Sequence, residues 1–312
     1  MVKIIMPAHN AEKTIKESID SVLAQSYEDW VLVIIDDASK DKTPALVRNE
    51  AAKDKRIQLI SKCNQFPTVN AANTVNTANT ANTVNFGPMG VSAARNLGIF
   101  GDGKGYNHDG KGYANGEGYA NGKGYANGEV YANGVGGDSL DNSKWLAFLD
   151  ADDIWHKDKL TNQLKFIEET GAAISYTATA YMNEASEMYS YVLRAKKELT
   201  HKMLLRQNLM SCSSVMVRRD VMIPFPEGYM HEDYAVWLEI VRKVGCAYGL
   251  DQPLLTYRIS AGSKSSGRFS SAKMIYNSYR HAGYNDILAA ALTVRYARHS
   301  IRKRRRILAT LN

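Results

Sequence analysis

The chain has little cysteine. Its three cysteines, Cys63, Cys212 and Cys246, lie far apart and share no metal-ligand spacing. That excludes a disulfide framework and a zinc site, and points to buried thiols in a reducing compartment. The sequence also lacks any apolar run near the roughly 18 residues that a membrane-spanning helix needs. No signal-peptide segment precedes the first strand-like stretch, Val2 to Met6, so a cytoplasmic location is the expectation. No Ser-His-Asp constellation stands out, so nothing points to that kind of nucleophilic catalysis.

What is present is an ordinary soluble mixture. The 312 residues are 45% hydrophobic and 23% charged, enough to bury a core in one large or two small domains. The net charge of +7 is uneven. Arg295, Arg298, Arg302, Lys303, Arg304, Arg305 and Arg306 crowd the C-terminal end, a pattern that suits nucleic acid, anionic lipid or water.

The first sixty residues alternate between two periodicities. Lys3 to Met6, Val31 to Ile35 and Ile57 to Ile60 are short apolar runs without polar alternation, the mark of strands buried on both faces. Between them, Ile15, Ile19, Val22 and Leu23 recur at helical spacing behind Asn10 as a cap, and Thr43-Pro44 opens a second helix reaching about Lys53. Strand, helix, strand, helix, strand predicts an α/β fold with a mostly parallel sheet and helices on both faces.

The pattern then breaks twice. Asn-Thr-Ala and Asn-Thr-Val triplets run from Pro67 to Phe86, and Tyr-Ala-Asn-Gly units run from Gly101 to Gly137. Neither has a face to bury, so both read as solvent-exposed inserts, at about 66–88 and 101–143. Between them Gly90 to Gly98 reads as a helix that carries Arg95 and closes near Gly98. A fourth apolar strand, Trp145 to Leu149, ends in Asp150-Ala151-Asp152-Asp153. Lys157 to Glu169 is an amphipathic helix, and Ala172 to Thr179, Ser213 to Val217 and Leu254 to Arg258 are strand candidates. His231-Glu232-Asp233 places acids at the positive end of another helix.

Three acidic groups therefore stand at element ends: Asp36-Asp37, Asp150 to Asp153, and Glu232-Asp233. In an open α/β sheet, strand carboxyl ends border the ligand crevice, so all three can face one site. Crowded acids repel one another unless a positive partner joins them, and a divalent cation with a phosphorylated substrate is the natural one.

Taken in order, Pro7-Ala8-His9-Asn10-Ala11, Ile35-Asp36-Asp37-Ala38-Ser39, Ser92-Ala93-Ala94-Arg95-Asn96, Phe148 to Asp153 and Glu232-Asp233 resemble the motifs of inverting family 2 glycosyltransferases. The resemblance implies a GT-A fold over residues 1–260, interrupted by the two inserts, with a helical basic extension over 261–312. It implies transfer from a nucleotide-diphospho-sugar, a UDP-sugar in the commonest case, to a hydroxyl of a glycan or lipid-linked acceptor in surface polysaccharide synthesis. By position, Pro7, Ala8 and Asn10 line the nucleoside pocket, His9 is a wall of it, Asp37 meets the base and Arg95 lies near the nucleotide. Asp150 and Asp152 correspond to the Asp-X-Asp motif that holds Mg²⁺ or Mn²⁺, with Asp152 as the direct ligand. Asp233 corresponds to the general base, with Glu232 as the alternative, and Asp153 is a turn or cap residue. Tyr257-Arg258 also matches, with a role either near the diphosphate or in the structure.

Sugar-phosphate nucleotidyltransferases, which have a related sheet, are disfavoured because no Gly-rich phosphate loop with Lys or Arg follows the first strand. A disabled nucleotide-sugar binding module is the other reading, set against the retention of all three acid groups. A nucleic-acid binder would rest on the tail alone. Residues 287–311 pattern as a basic amphipathic helix, which suits the anionic inner face of a membrane.

Overall fold

The computed structural model describes residues 1–61, 88–101, 143–260 and 268–310. Both repeat segments, apart from their edges, and Cys63 lie outside the described residues.

The chain opens with β1 (Val2–Ala8), α1 (Ile15–Leu23), β2 (Trp30–Asp36), α2 (Thr43–Ala51) and β3 (Ile57–Ser61). Helix α3 (Val91–Phe100) stands between the two repeat segments. Next come β4 (Trp145–Phe148), β5 (Ile154–Trp155), α4 (Lys159–Thr170), β6 (Ile174–Met182), β7 (Met188–Leu193), β8 (Glu198–Thr200) and α5 (His201–Leu204). The last part holds β9 (Met216–Arg218), α6 (Glu232–Val244), β10 (Cys246–Arg258), α7 (Arg268–His281) and α8 (Asp286–Leu308).

All the strands join one sheet, in the order β3-β2-β1-β4-β9-β6-β10-β5, with β7 added on β6 and β8 on β10. The predicted parallel arrangement holds from β3 through β2 and β1 to β4, and again between β6 and β10. Strand β9 runs antiparallel between β4 and β6, so the whole sheet is mixed.

The unbroken apolar strands are explained by two cores. Alternate residues point to opposite faces of a strand. Ile4, Met6, Leu32 and Ile34 meet α1, α2 and α4 through Ile15, Ile19, Val47 and Leu160. Ile5, Val33, Ile35 and Phe148 meet α3 and α6 on the other face, through Ala94, Ile99, Trp237 and Val241. Ile275 and Tyr279 of α7 and Ala289 of α8 belong to that second core, so the C-terminal helices pack against the rest of the fold.

Several predicted boundaries shift, each for a local reason. Asn10 does not cap α1: its backbone is left-handed (φ 51°) and its side chain accepts from Lys40 N, while the helix starts five residues later. Thr43 is the first residue of α2, after Lys42 as N-cap, and its hydroxyl accepts from Ala11 N. Helix α2 also ends two residues early, at Ala51. Helix α3 runs through Gly98 and ends at Gly101, whose φ of 76° closes it. Gly98 is there for closeness: a Cβ would lie 2.6 Å from Ile35 Cδ1 and 2.9 Å from Ile5 Cγ2. Ser213 and Ser214 form a 3-10 turn rather than the start of β9, because their hydroxyls bond away from a strand ladder.

Candidate active site

The carboxyl ends of β1, β2 and β4 lie along one edge. Ala8 pairs with Asp36, and Ile5 with Phe148, so Asp150 follows β4 beside the last residues of β1. The two loops that leave β1 and β2 are laced together. Asp37 N donates to Ala8 O (2.8 Å), Asn10 N to Ser39 Oγ (2.9 Å), and His9 Nδ1 lies 2.6 Å from Asp37 O. Ala8 and His9 are thereby held against Asp37, and Asn10 against Ser39. Ala8 is buried, whereas His9 and Asn10 are exposed.

Asp36 and Asp37 are buried and hydrogen-bonded within the chain. Asp36 accepts from Ser61 Oγ (3.0 Å). Asp37 accepts from Met89 N (2.6 Å) and Gly90 N (2.8 Å), the residues that lead into α3. One carboxylate thus anchors the start of the helix that carries Arg95.

Arg95 is 3% exposed. Its Nη2 donates to Asp150 Oδ1 (2.7 Å) and its Nη1 to Glu232 Oε1 (3.1 Å). This one guanidinium joins the end of β4 to the start of α6. Burial opposes its charge, but the carboxylates of Asp150, Glu232 and Asp233 more than offset that and hold it protonated, while its neighbour Cys212, pushed up by burial, stays a neutral thiol. Phe225 lies under it, 5.2 Å from ring centre to Cζ, in an aromatic group with Phe148 and Trp237. Trp237 and Trp155 are core residues.

The turn after β4 is fastened from several sides. Asp153 N donates to Asp150 O (3.1 Å). Fully buried Asp153 accepts from Ser213 Oγ (2.6 Å) and from Arg258 N (3.0 Å). Ser213 Oγ also accepts from Asp150 N (3.0 Å), and Arg258 Nε donates to Asp152 O (3.0 Å). Arg258 further reaches Ser186 and Glu17. Asp153 is a structural residue of the turn, and Arg258 a buried clamp on its backbone.

Asp152 differs from its neighbours. Among the described residues its carboxylate accepts only from its own backbone N–H and makes no ion pair, although the charge of Arg258 acts on it. Burial, followed by the charge of Asp150, pushes its pKa up to about 6. Asp233, at the start of α6, likewise has no ion-pair partner there. Burial and then Glu232 raise it to about 7, while Arg95 pulls the other way. No three His, Cys, Asp or Glu side chains among the described residues gather as a closed metal cage. Mg²⁺ and Mn²⁺ at phosphate sites need no such cage, since one or two carboxylates share them with phosphate oxygens. Asp150, one oxygen of which is taken by Arg95, and Asp152, which makes no ion pair among the described residues, offer hard-oxygen donors of the kind such an ion takes. Beside this edge, Met89, Gly90, Ser92, Tyr229, Glu232 and Met274 help to line a cavity of about 390 Å³.

Sequence reasoning named the acids and Arg95 but not Ser213 or Cys212, each a single residue with no pattern around it. It also placed Arg95 near a nucleotide without seeing that two carboxylates hold it.

Residues 3–78 and 136–223 match the profile of "Glycosyl transferase family 2". The match omits α3 with Arg95 and stops before α6 with Glu232 and Asp233. The chain is 26% identical over 307 residues to the "Putative teichuronic acid biosynthesis glycosyltransferase TuaG" of Bacillus subtilis (strain 168), covering 97% of each. It is 28% identical over 279 residues to the Escherichia coli "UDP-Glc:alpha-D-GlcNAc-diphosphoundecaprenol beta-1,3-glucosyltransferase WfgD", covering 88% of this chain and 83% of that one. The fold matches the crystal structure of S. aureus TarS 1-349 in complex with UDP-GlcNAc, with a TM-score of 0.57 at 14% identity, over 94% of this chain and 70% of that one. It also matches the mannosyltransferase PcManGT from Pyrobaculum calidifontis in complex with GDP-Man and Mn²⁺, with a TM-score of 0.57 at 15% identity, over 93% of this chain and 69% of that one. The architecture is the GT-A fold.

Proposed function

The chain belongs to glycosyltransferase family 2, and on that premise we propose an inverting, metal-dependent transfer of a sugar from a UDP-sugar to a hydroxyl of a lipid-linked or polysaccharide acceptor. The observation that carries this reading is the Arg95 bridge, which sets Asp150 and Glu232 one guanidinium apart at the strand-end crevice. A single displacement needs a leaving-group end and a base end on opposite sides of one sugar.

Asp150 and Asp152 would hold Mg²⁺ or Mn²⁺, which when bound offsets the charge of the nucleoside diphosphate leaving group. Pro7, Ala8 and Asn10 border the nucleoside, and Asp37 receives the base. A carboxylate has about four acceptor sites, and Met89 N and Gly90 N use two of those on Asp37. Arg95 orients Asp150 and lends positive charge beside the diphosphate.

Asp233 is the base that takes the acceptor proton. Arg95 is ion-paired with Glu232, whereas Asp233 makes no ion pair among the described residues. Its pKa near 7 suits proton transfer at neutral pH. The names of TuaG and WfgD, with teichuronic acid and a diphosphoundecaprenol acceptor, favour a surface-glycan or lipid-linked substrate. The primary test is thermal unfolding with UDP and Mn²⁺. A rise in melting temperature that chelator abolishes is expected, and no stabilisation by any nucleotide with metal rejects the reading.

The outer side of α8 supports a place at a membrane surface. No described helix is long and apolar enough to cross a membrane. Yet Ile287, Val294, Ile301 and Leu308, all exposed, recur every seventh residue and form one stripe. Arg298, Arg304 and Arg305 flank it, a combination suited to anionic lipid. Replacing Ile301 and Leu308 by Asp should end sedimentation with phosphatidylglycerol vesicles; equal sedimentation of wild type and variant removes the membrane from the proposal.

A further inference from the structure

A helix start is fixed by whatever satisfies the free peptide groups of its first turn. Helix α6 begins behind His231 as N-cap, which is not among the residues whose side chains commonly cap a helix, and the His231 side chain makes no bond to the first turn. The ring turns away, with Nε2 3.4 Å from Ser271 Oγ on α7. The peptide groups of His231 are held from the same neighbouring helix. Ser278, fully buried on α7, accepts from His231 N (3.2 Å). Its own proton is shared between His231 O (3.2 Å) and Met274 O (3.0 Å). The adjacent Asn277 Nδ2 donates to Tyr229 O (2.6 Å), two residues before the cap.

These bonds differ from the other contacts between α6 and α7. Tyr234 and Tyr279 pack edge-on with ring centres 5.8 Å apart, and Arg242 Nη1 donates to Ala282 O (3.1 Å) near the far ends of both helices. Those contacts hold the helices side by side. The Ser278 and Asn277 bonds fall instead on the backbone that leads into Glu232 and Asp233. Asp233 lies two residues past His231, at about 1.5 Å of rise per residue, so a shift of the cap passes directly to its carboxylate. The same turn of chain borders the 390 Å³ cavity. Gly228, Tyr229, Met230 and Glu232 line it together with Met274, the α7 residue whose carbonyl Ser278 also contacts.

We propose that Ser278 is a positioning residue for the general base: by fixing the first peptide of α6 it sets where Asp233 stands in the crevice. The proposal rests on the glycosyl-transfer reading, in which Asp233 takes the acceptor proton. A base contributes only when it is held within hydrogen-bond reach of the hydroxyl it deprotonates. A misplacement of about 1 Å costs a large part of the rate. Helix ends fray unless they are capped. Helix α7 supplies from outside the hold that a capping side chain gives from within. The C-terminal helical part then has a share in the chemical step and none in donor binding, whose groups lie at the ends of β1, β2 and β4.

The test compares the full chain with Ser278→Ala and with Arg242→Gln, which removes a bond between the same two helices at their other end. Hydrogen exchange read by mass spectrometry comes first. Ser278→Ala is expected to speed exchange of the amides of residues 231–235 about tenfold, the scale of one lost hydrogen bond, and Arg242→Gln to leave them unchanged. Kinetics come second, with Mn²⁺ and UDP-glucose or UDP-N-acetylglucosamine as probes and release of UDP as the readout. Ser278→Ala should lower kcat about tenfold while KM for the UDP-sugar and the affinity for UDP stay as in wild type, and Arg242→Gln should change none of them. Equal exchange at 231–235 in the two variants overturns the assignment. So does a kcat that Ser278→Ala leaves intact, a kcat that both variants lower alike, or a KM that rises as much as kcat falls. Failure of wild type to bind UDP with Mn²⁺ counts against the glycosyl-transfer reading, and exchange at 231–235 then decides by itself whether Ser278 fixes the helix start.

Discussion

At the end of β2, Asp36 and Asp37 have protein donors: Ser61 for one, Met89 N and Gly90 N for the other. At the end of β4 the acids divide. Asp153 is held by Ser213 and Arg258 and Asp150 by Arg95, whereas the Asp152 carboxylate makes no ion pair among the described residues. The two turns look alike in sequence, yet the first is largely satisfied by the fold while the second leaves one carboxylate without an ion pair among the described residues. Buried polar groups are normally paired. An acid that stays unpaired beside other acids therefore marks where a ligand belongs, whereas its satisfied neighbours mark the frame that holds it.

The sharpest way to break this comparison is to remove the unpaired acids one at a time. Asp233→Asn should lower the transfer rate by about 10²–10⁴-fold, the usual contribution of a general base, with UDP and Mn²⁺ binding retained. Turnover close to wild type would move the base to another residue, Glu232 first. Asp152→Asn should abolish the Mn²⁺-dependent rise in melting temperature while raising that of the metal-free protein. Asp153→Ala should do the reverse: it leaves the Ser213 hydroxyl and Arg258 N without an acceptor, costs about 1–3 kcal/mol of stability, and is read by denaturant unfolding. If the two variants behave alike, the division between frame and ligand site is wrong.

The smallest effect is in the pH dependence of the metal-free protein. The folded-state pKa values of Asp152 and Asp233, about 6 and about 7, lie above the ordinary value of 3.8. Between those limits the folded state binds more protons than the unfolded state. Stability from these two groups is then greatest below about pH 4 and is lost as pH rises through about 6 and 7. Mn²⁺ with UDP should flatten the Asp152 part of that slope. An unfolding free energy that rises steadily from pH 4 to pH 7 in both variants and wild type would show that other groups outweigh this pair.

Much of the fold was legible because its signals are local. The continuous apolar runs at Lys3 to Met6 and Val31 to Ile35 report strands covered on both faces, and two separate cores supply that cover. The antiparallel insertion of β9 was not legible, since three residues carry no period and Ser213 and Ser214 bond elsewhere. Helix α3 was placed correctly but closed too early, because Gly98 looks like a terminator in sequence. Its actual reason is contact with Ile5 and Ile35, which are distant in the chain. Within the site, Asp153 and Arg258 acquired definite structural roles once their partners could be seen.

The sequence by itself determined the alternation of strands and helices, the acids at element ends and the family motifs, since each depends on residues near one another along the chain. Only the tertiary structure decided which acids are satisfied and that Arg95 couples β4 to α6. Those properties arise where residues far apart in the chain share one low-dielectric space, as Arg95 does with Asp150 and Glu232, 55 and 137 positions on, and no local pattern encodes that meeting.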